Sequence, residues 1–248
     1  MNIRNFLDST YLKTPLQSGL SEEENLSKVF GLVQEAVDEQ FFAVMIRPDY
    51  IKQVKDYLKE KKNAVVVGTV IGFHEGTTST EKKLAEAALA IQNGADELDF
   101  VINYEAYKKG EKELVKNEFL QCTALCLKHR KIAKWIIEIA ALSDEQIANI
   151  TSDIWQWAKQ NFDVSDFKNI FVKSSTGFYA TEGGKPNGAT VSGINIMLQN
   201  AGELPVKAAG GVRTPQEAID MISRGVKRIG TSSAKALIGD KEISDSGY

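Results

Sequence analysis

The stretch that decides the fold is PVKAAGGVRTPQEAIDMISRGVKRIGTSSA, residues 205–234. It begins with a short β-rich run, VKAA, and then turns at a Gly-Gly pair. Thr214 and Glu217 form a capping box that predicts the start of a helix. Pro215 stands at the first helical position, where its missing N–H costs little. A second β-rich run, RIGT, follows, so the stretch predicts a strand, a helix and a parallel strand.

The same alternation extends outward through the whole chain. The β-rich runs start 21 to 37 residues apart and ~32 on average, close to the roughly 30 residues of one strand-plus-helix unit. The predicted strands are Phe6–Thr10, Ala43–Ile46, Ala64–Ile71, Glu97–Ile102, Lys134–Glu138, Ile170–Ser174, Val206–Ala209 and Arg228–Thr231. Eight such units predict a closed (β/α)8 TIM barrel of the α/β class.

Nothing in the sequence divides the chain into modules, because it has no linker, charge block or shift in composition. We therefore predict a single domain over residues 1–248, with a mobile C-terminal tail at about 240–248. The main rival architecture is a doubly wound open sheet, but the nucleotide-binding glycine signature is missing after the first strand. Ser79 or Thr80 is expected to cap a helix over 81–92, and Ser143 with Gln146 fits a capping box.

Composition excludes several classes of protein. The chain has 248 residues, of which 43% are hydrophobic and 25% are charged, and this excludes a disordered or fibrous chain. A formal net charge of −3 leaves no basic surplus for a phosphate backbone, so we expect no nucleic acid partner. The longest apolar-rich stretch, residues 64–73, is half of the ~20 residues that span a bilayer, so we expect no membrane partner.

Cysteine and histidine usage indicates a reducing compartment and no zinc site. Cys122 and Cys126 are four residues apart in a predicted helix and form no disulfide framework. His74 and His129 lie far apart in the sequence and have no zinc-ligand spacing. The N-terminus lacks the apolar core of a secretory signal, so we expect a cytoplasmic protein. The oligomeric state stays open, with a homodimer as one alternative.

Two lysines within predicted strands are candidates for covalent catalysis. Lys173 lies between apolar neighbours in IFVKSSTGF, and Lys207 lies in the next strand, in PVKAAGG. Inside a barrel, desolvation and a second ammonium both lower the pKa of a lysine, and a neutral amine is a carbonyl nucleophile. A snorkelling or salt-bridged side chain is the usual explanation for one such lysine. Two of them on adjacent strands favour a Schiff-base lysine.

Carboxylates on the same strands are candidates for proton transfer. Asp99 shares a strand face with Glu97 and is expected to project into the barrel. There it can orient Lys207 and relay protons, directly or through one water. Asp8 at the end of the first strand and Glu138 at the end of the fifth are expected mainly as charge or hydrogen-bond partners of neighbouring lysines.

Two loops at the ends of the last strands predict an anion site. In TIM barrels, phosphate groups commonly bind at the loops after strands seven and eight. Gly210 and Gly211 let backbone N–H groups approach an anion, and Ser232 and Ser233 stand before a helix. Together these loops predict a phosphorylated ligand.

The segments VKSSTGF, KAAGGVR, GADELDFVIN and GTSSA make the sequence resemble the deoxyribose-phosphate aldolase family, nearly end to end. The resemblance implies a class I aldolase on a TIM barrel, with no metal and no organic cofactor. It implies reversible cleavage of 2-deoxy-D-ribose 5-phosphate to acetaldehyde and D-glyceraldehyde 3-phosphate. It also implies that Lys173 forms the Schiff base, that Lys207 tunes it, and that Asp99 relays protons. Tyr248 resembles a tail tyrosine that assists proton transfer in some members.

The sequence departs from the family near the expected phosphate. Some relatives place a lysine after the STG turn and use it near the phosphate, whereas Phe178 stands there in this chain. The candidate phosphate and substrate contacts are therefore Thr176, Gly177, Gly210, Gly211, Arg213, Ser232 and Ser233. Two alternatives stay open: another Schiff-base aldolase acting on a phosphorylated sugar, and a phosphosugar-binding barrel without catalysis.

Overall fold

The β-rich runs pair in sequence order and close on themselves, so that the first strand also pairs with the eighth. The computed structural model describes residues 2–239. Its strands are β1 (Leu7–Thr10), β2 (Ala43–Ile46), β3 (Val66–Ile71), β4 (Glu97–Val101), β5 (Ile132–Ile136), β6 (Ile170–Lys173), β7 (Val206–Ala209) and β8 (Arg228–Thr231). The predicted single-domain (β/α)8 TIM barrel is confirmed. The predicted tail at 240–248, with Tyr248, lies outside the described residues.

Helices cover the outside of the barrel between successive strands. The α-helices within residues 2–239 are α1 (Pro15–Ser18), α2 (Glu22–Asp38), α3 (Ile51–Glu60), α4 (Thr80–Gln92), α5 (Tyr104–Lys108), α6 (Lys112–Lys128), α7 (Asp144–Asn161), α8 (Val191–Asn200), α9 (Pro215–Arg224) and α10 (Ala234–Ile238). Short 3₁₀ turns lie at Ile3–Phe6, Pro48–Tyr50, Ile139–Ala141, Val164–Asn169 and Glu182–Gly184. No helix among the described residues is long and apolar enough to cross a membrane.

The fifth strand begins and ends two residues earlier than the sequence predicts. Ile132 pairs with Glu97 of β4, so the strand starts before Lys134. Glu138 adopts a left-handed backbone with φ of 57°, which turns the chain out of the sheet. The other predicted strands agree with the structure to within two residues at each end. Strand ends depend on where the neighbouring strand offers partners, which a single run of residues does not reveal.

The predicted helix starts are present in the structure. Ser79 caps α4, and its side chain accepts a hydrogen bond from the backbone N–H of Lys82. Capping boxes form at Ser143 and at Thr214, where Pro215 is the first residue of α9. These caps satisfy backbone donors that a helix leaves unpaired at its start.

The core lies between the strands and the helices. Phe100 of β4 stacks on Trp135 of β5 at 4.9 Å between ring centroids, and Phe119 of α6 packs against the same indole. Phe100 is therefore directed at the helices, and the residues on either side of it in the strand are directed at the barrel axis. One of those residues is Asp99, so the interior of the barrel is polar while its outer face is apolar.

Candidate active site

Lys173 and Lys207 lie side by side because β6 and β7 pair in register at these two residues. Both Nζ atoms reach the same carboxylate oxygen, Oδ2 of Asp99, at 2.8 Å from Lys173 and 2.9 Å from Lys207. The three side chains are buried. The structure thus brings together the two lysines and the carboxylate that the sequence predicts for catalysis.

A third lysine shares the Asp99 carboxylate. Lys134 pairs with Asp99 across β5 and β4, and its Nζ donates to Oδ1 of Asp99 at 2.7 Å. Burial alone raises the pKa of Asp99, but the charges of Lys134, Lys173 and Lys207 outweigh burial and hold that pKa well below its usual range. Asp99 is therefore a carboxylate at neutral pH, and it accepts hydrogen bonds from all three lysines.

A second layer of charges lies deeper in the barrel. Arg228 of β8 forms a bidentate pair with Glu97, with both N···O distances 3.0 Å, and its Nε donates to Asp8 at 2.7 Å. Lys207 contacts the other oxygen of Asp8 at 2.6 Å, and Lys134 contacts Glu97 at 2.6 Å. The network therefore joins four cationic side chains, Lys134, Lys173, Lys207 and Arg228, to three carboxylates, Asp8, Glu97 and Asp99.

One buried positive charge is in excess, and the geometry decides which group gives up its proton. Burial lowers the pKa of Lys134, but Asp99, Glu97 and Asp8 together raise it to about 12. Lys173 has only the Asp99 carboxylate, which it shares. Burial, opposed by Asp99 and assisted by the charges of Lys207 and Lys134, lowers the pKa of Lys173 to about 8. Lys173 thus gives up its proton more readily than Lys134 does.

Lys173 also faces open space. It is 3% exposed, whereas Lys207 and Asp99 have no exposed surface. The space is a cavity of about 390 Å³ at the carboxyl ends of the strands, the end at which TIM barrels carry their sites. Its walls are Thr10, Tyr11, Leu12, Lys13, Lys173, Thr176, Gly177, Phe178, Asn187, Ala209, Gly210, Gly230, Thr231 and Ser232. A ligand in this cavity meets Lys173 directly, with Asp99 and Lys207 behind it.

The predicted phosphate contacts divide into two groups. Thr176, Gly177, Gly210 and Ser232 line the cavity. Gly210 has a left-handed φ of 69°, and a Cβ there would lie 3.1 Å from the Cα of Gly188, so the turn requires glycine.

Gly211, Arg213 and Ser233 are not among the residues that line this cavity. The side chain of Arg213 is exposed, and its backbone N–H donates to Glu217 at 2.7 Å. Ser233 is also exposed, and its backbone N–H donates to Oγ1 of Thr231 at 3.1 Å. These side chains lie on the loops around the cavity rather than on its walls.

Asp8 and Glu138 have different surroundings. Asp8 pairs with Lys207 and Arg228, and although burial raises its pKa, the charges of Arg228, Lys207 and Lys134 lower it to about 2. Glu138 forms no ion pair within 4.0 Å with a lysine of residues 2–239, although the charge of Lys173 acts on it and opposes the effect of burial on its pKa. Its Oε2 accepts hydrogen bonds from the backbone N–H and the hydroxyl of Thr176. Burial raises the pKa of Glu138, and the residue holds the Thr176 turn against the barrel.

Sequence reasoning missed Lys134 and Arg228 as parts of the site. Both were assigned only to strands, although a cation among apolar strand neighbours is the same signal that singled out Lys173. Lys13, which lines the cavity, was also missed, because it follows the first strand in a segment without a recognisable motif. Within residues 2–239, no three His, Cys, Asp or Glu side chains are grouped so as to hold a metal ion.

Comparisons with known proteins identify the family to which the chain belongs. Residues 11–239 match the profile of the DeoC/LacD family aldolases. A deoxyribose-phosphate aldolase from Thermococcus kodakarensis is 38% identical over 237 residues, which cover 95% of each chain. One from Caldicellulosiruptor saccharolyticus is 35% identical and covers 96% of this chain and 97% of its own length. The tetrameric deoxyribose phosphate aldolase structure from Aeropyrum pernix superimposes with a TM-score of 0.75 at 26% identity, covering 95% of this chain and 89% of that one.

Proposed function

The chain belongs to the DeoC/LacD family of aldolases, and from this premise we infer its reaction. It is a class I aldolase that reversibly cleaves 2-deoxy-D-ribose 5-phosphate to acetaldehyde and D-glyceraldehyde 3-phosphate. We propose Lys173 as the residue that forms the Schiff base. The observation that carries this proposal is a lysine on the cavity wall whose pKa is lowered to about 8, inside a network with one positive charge in excess.

The reaction begins when the neutral amine of Lys173 adds to the C1 aldehyde of the open-chain sugar. The resulting carbinolamine takes up one proton and loses its hydroxyl group as water, which gives a protonated imine that withdraws electrons from the neighbouring carbon. The positive charge that appears on nitrogen lies 2.8 Å from Asp99, whose carboxylate stabilises it. Lys173 thus changes from a neutral amine to a cationic iminium, and the Asp99 carboxylate balances the charge that this step creates.

The C2–C3 bond then breaks. The C3 hydroxyl loses its proton and becomes the aldehyde of glyceraldehyde 3-phosphate, while the bonding electrons form an enamine on C1 and C2. Protonation of the enamine carbon and hydrolysis of the imine release acetaldehyde and restore the amine. We assign the proton transfers to Asp99 and Lys207 acting through water, because both side chains lie behind Lys173 rather than on the cavity wall.

The phosphate is proposed to bind at the Gly210 turn and Ser232, with Thr176 and Gly177 opposite the reacting carbons. The N–H of Gly210 donates to the carbonyl of Gly230 at 3.1 Å. The left-handed turn therefore contributes close approach of the backbone to the anion, and the hydroxyl of Ser232 is the proposed donor at this place. Glu138 supports this arrangement indirectly, since it fixes Thr176. Gly211, Arg213 and Ser233 remain predicted ligand contacts from the loops around the cavity, and Tyr248, which lies outside the described residues, remains a prediction for proton transfer.

We also propose a homodimer in the cytoplasm with no nucleic acid partner. Leu16 and Leu89 are exposed and line one surface groove of about 810 Å³. Exposed apolar residues that lie together mark surfaces for association. Cys122 and Cys126 are free thiols, as expected in a reducing compartment, and the net charge of −3 does not favour nucleic acid. Sedimentation of wild type as a dimer and of Leu16→Asp as a monomer tests the association.

The catalytic proposal is tested by trapping the imine. Wild type is incubated with acetaldehyde and borohydride, its intact mass is measured, and the modified peptide is sequenced. We expect one reduced ethyl group on Lys173, no adduct in Lys173→Leu, and release of glyceraldehyde 3-phosphate from 2-deoxyribose 5-phosphate by wild type alone. An adduct that persists in Lys173→Leu would show that Lys173 does not form the Schiff base. Binding of the sugar phosphate without any adduct would instead indicate a non-catalytic barrel.

A further inference from the structure

The cavity lacks a cation at the position where some relatives have one. Phe178, which follows the STG turn, packs edge-on against Phe73 at 5.0 Å and stacks with His74 at 5.6 Å between ring centroids. This wall is therefore aromatic. Among residues 2–239, however, no acidic residue lines the cavity, and Lys13 is its one cationic wall residue besides Lys173.

We propose that Lys13 binds the phosphate group and makes the site select phosphate monoesters over free sugars. The inference rests on the proposed function and adds to it a specificity-determining residue outside the strand-seven and strand-eight loops. The cation that recognises the phosphate dianion comes from the loop after β1, instead of the loop after β6. A lysine ammonium suits this task as a compact point charge with three donors.

The backbone of the β1 loop is held in place at three consecutive residues. Tyr11 donates its N–H to the carbonyl of Met45 at 2.9 Å. The carbonyl of Leu12 accepts from Nε of Arg47 at 2.7 Å, and the carbonyl of Lys13 accepts from Nδ2 of the buried Asn25 at 3.3 Å. Only the side chain of Lys13 has to become ordered when an anion binds, which keeps the entropic cost of binding low.

The sheet register places the β1 loop beside the predicted phosphate loops. Ser9 of β1 pairs with Thr231 of β8, so the segments after these strands leave the barrel next to each other. Lys13 and Ser232 consequently line the same cavity. A phosphate held near Gly210 and by Ser232 therefore lies in the cavity that Lys13 also lines.

Lys13 is exposed and forms no ion pair with any carboxylate among residues 2–239. In contrast, the buried Lys134 and Lys207 are each paired with carboxylates. No carboxylate of the described residues therefore competes with an anion for the Lys13 ammonium. Such a cation attracts anions into the cavity.

The experiment compares two substrates in three variants. Lys13→Met removes the charge, Lys13→Arg keeps it, and Lys227→Met removes an exposed lysine at the opposite end of the barrel, just before β8. For each, kcat/KM is measured with 2-deoxyribose 5-phosphate and with unphosphorylated 2-deoxyribose, together with inhibition by inorganic phosphate. Imine trapping with acetaldehyde verifies that Lys173 still reacts.

We expect Lys13→Met to lower the ratio of the two kcat/KM values by about 10- to 100-fold, as for loss of a hydrogen bond to a charged group. Inhibition by inorganic phosphate should weaken in parallel. Lys13→Arg should restore most of the ratio, and Lys227→Met should match wild type.

An unchanged ratio in Lys13→Met, or an equal fall with both substrates, would overturn the role of Lys13 while leaving the aldolase proposal intact. A wild type that traps acetaldehyde on Lys173 but does not prefer the phosphorylated sugar would also overturn it. Failure of wild type to form the adduct at all would instead contradict the proposed function.

Discussion

Two buried lysines of this barrel have opposite environments. Lys83 on α4 donates from Nζ to three acceptors, each at 2.7 Å: Oε2 of Glu118 and the carbonyls of Gly76 and Val101. Its three donors are all used, and its charge is matched one to one by Glu118. Lys173 has one carboxylate oxygen, shared with Lys207, in a network with one cation too many.

Burial alone therefore does not make a lysine reactive. Burial is the main cause that lowers the pKa of both Lys83 and Lys173. The difference lies in the acceptors, because a fully hydrogen-bonded ammonium stays charged and fixed, whereas one with a single shared partner can lose its proton and move. Lys173 also borders the cavity, and Lys83 is fully buried. The comparison predicts that Lys173 takes part in the reaction and that Lys83 stabilises the fold.

The largest expected effect comes from Lys173→Leu. Loss of the nucleophile should lower kcat/KM for 2-deoxyribose 5-phosphate by at least ~10⁴-fold. The free energy of unfolding should not fall, because the substitution removes the cation in excess and leaves Asp99 with two lysines. Urea unfolding beside the steady-state assay checks both points. A large loss of stability would mean that Lys173 resembles Lys83 after all.

Lys83→Met should show the reverse pattern. It leaves Glu118 buried without its cation, so the free energy of unfolding should fall by about 3–5 kcal/mol. The matched control is Lys83→Met combined with Glu118→Leu, which removes both charges and should recover part of the loss. At a temperature where Lys83→Met is folded, trapping of acetaldehyde should still modify Lys173. Absence of the adduct in the folded variant would show that Lys83 also affects the reactivity of Lys173, and would contradict the division of roles between the two lysines.

The pH dependence of imine formation should sharpen the comparison further. The amine of Lys173 is protonated below its pKa of about 8 and neutral above it. The rate of trapping by acetaldehyde should thus fall ~10-fold per pH unit below that pKa and level off above it. Lys207→Met removes a nearby positive charge and should move the inflection to higher pH. An inflection that stays in place in Lys207→Met would show that Lys207 does not tune Lys173.

The smallest effect is expected at the thiols near Lys83. Cys122 is buried on the same helix as Glu118, and burial, assisted by Glu118 and opposed by Lys83, raises its pKa to about 12. Burial likewise raises the pKa of Cys126. Native protein should gain no mass from iodoacetamide at pH 7, because thiols rather than thiolates are present. Protein unfolded in urea serves as the control and should take up the reagent at both cysteines.

Much of the site follows from local sequence. The period-2 pattern of the strands places Asp99 on the inner face, and the equivalent positions of Lys173 and Lys207 on neighbouring strands bring them together. The helix caps at Ser143 and Thr214 are equally local, because their hydrogen bonds join residues three apart. Such features need no knowledge of the rest of the chain.

The hydrogen-bond partner of Glu138 is Thr176, which the sequence did not indicate, and the bounds of β5 were displaced by two residues. Both depend on contacts between segments far apart in sequence, Glu138 with Thr176 and Ile132 with Glu97. The role of Lys13 on the cavity wall depends in the same way on the closure of β1 against β8. Side-chain partners across a barrel are set by register and closure together.

By itself, the sequence determined the number of strand–helix units, the inward face of the fourth strand and the residues capable of Schiff-base chemistry. Only the tertiary structure decided which lysine is short of partners, because Asp8, Glu97, Asp99, Lys134, Lys207 and Arg228 come from five different strands. The pKa of a buried group depends on the distances to all charges around it, and those distances exist only once the barrel is closed.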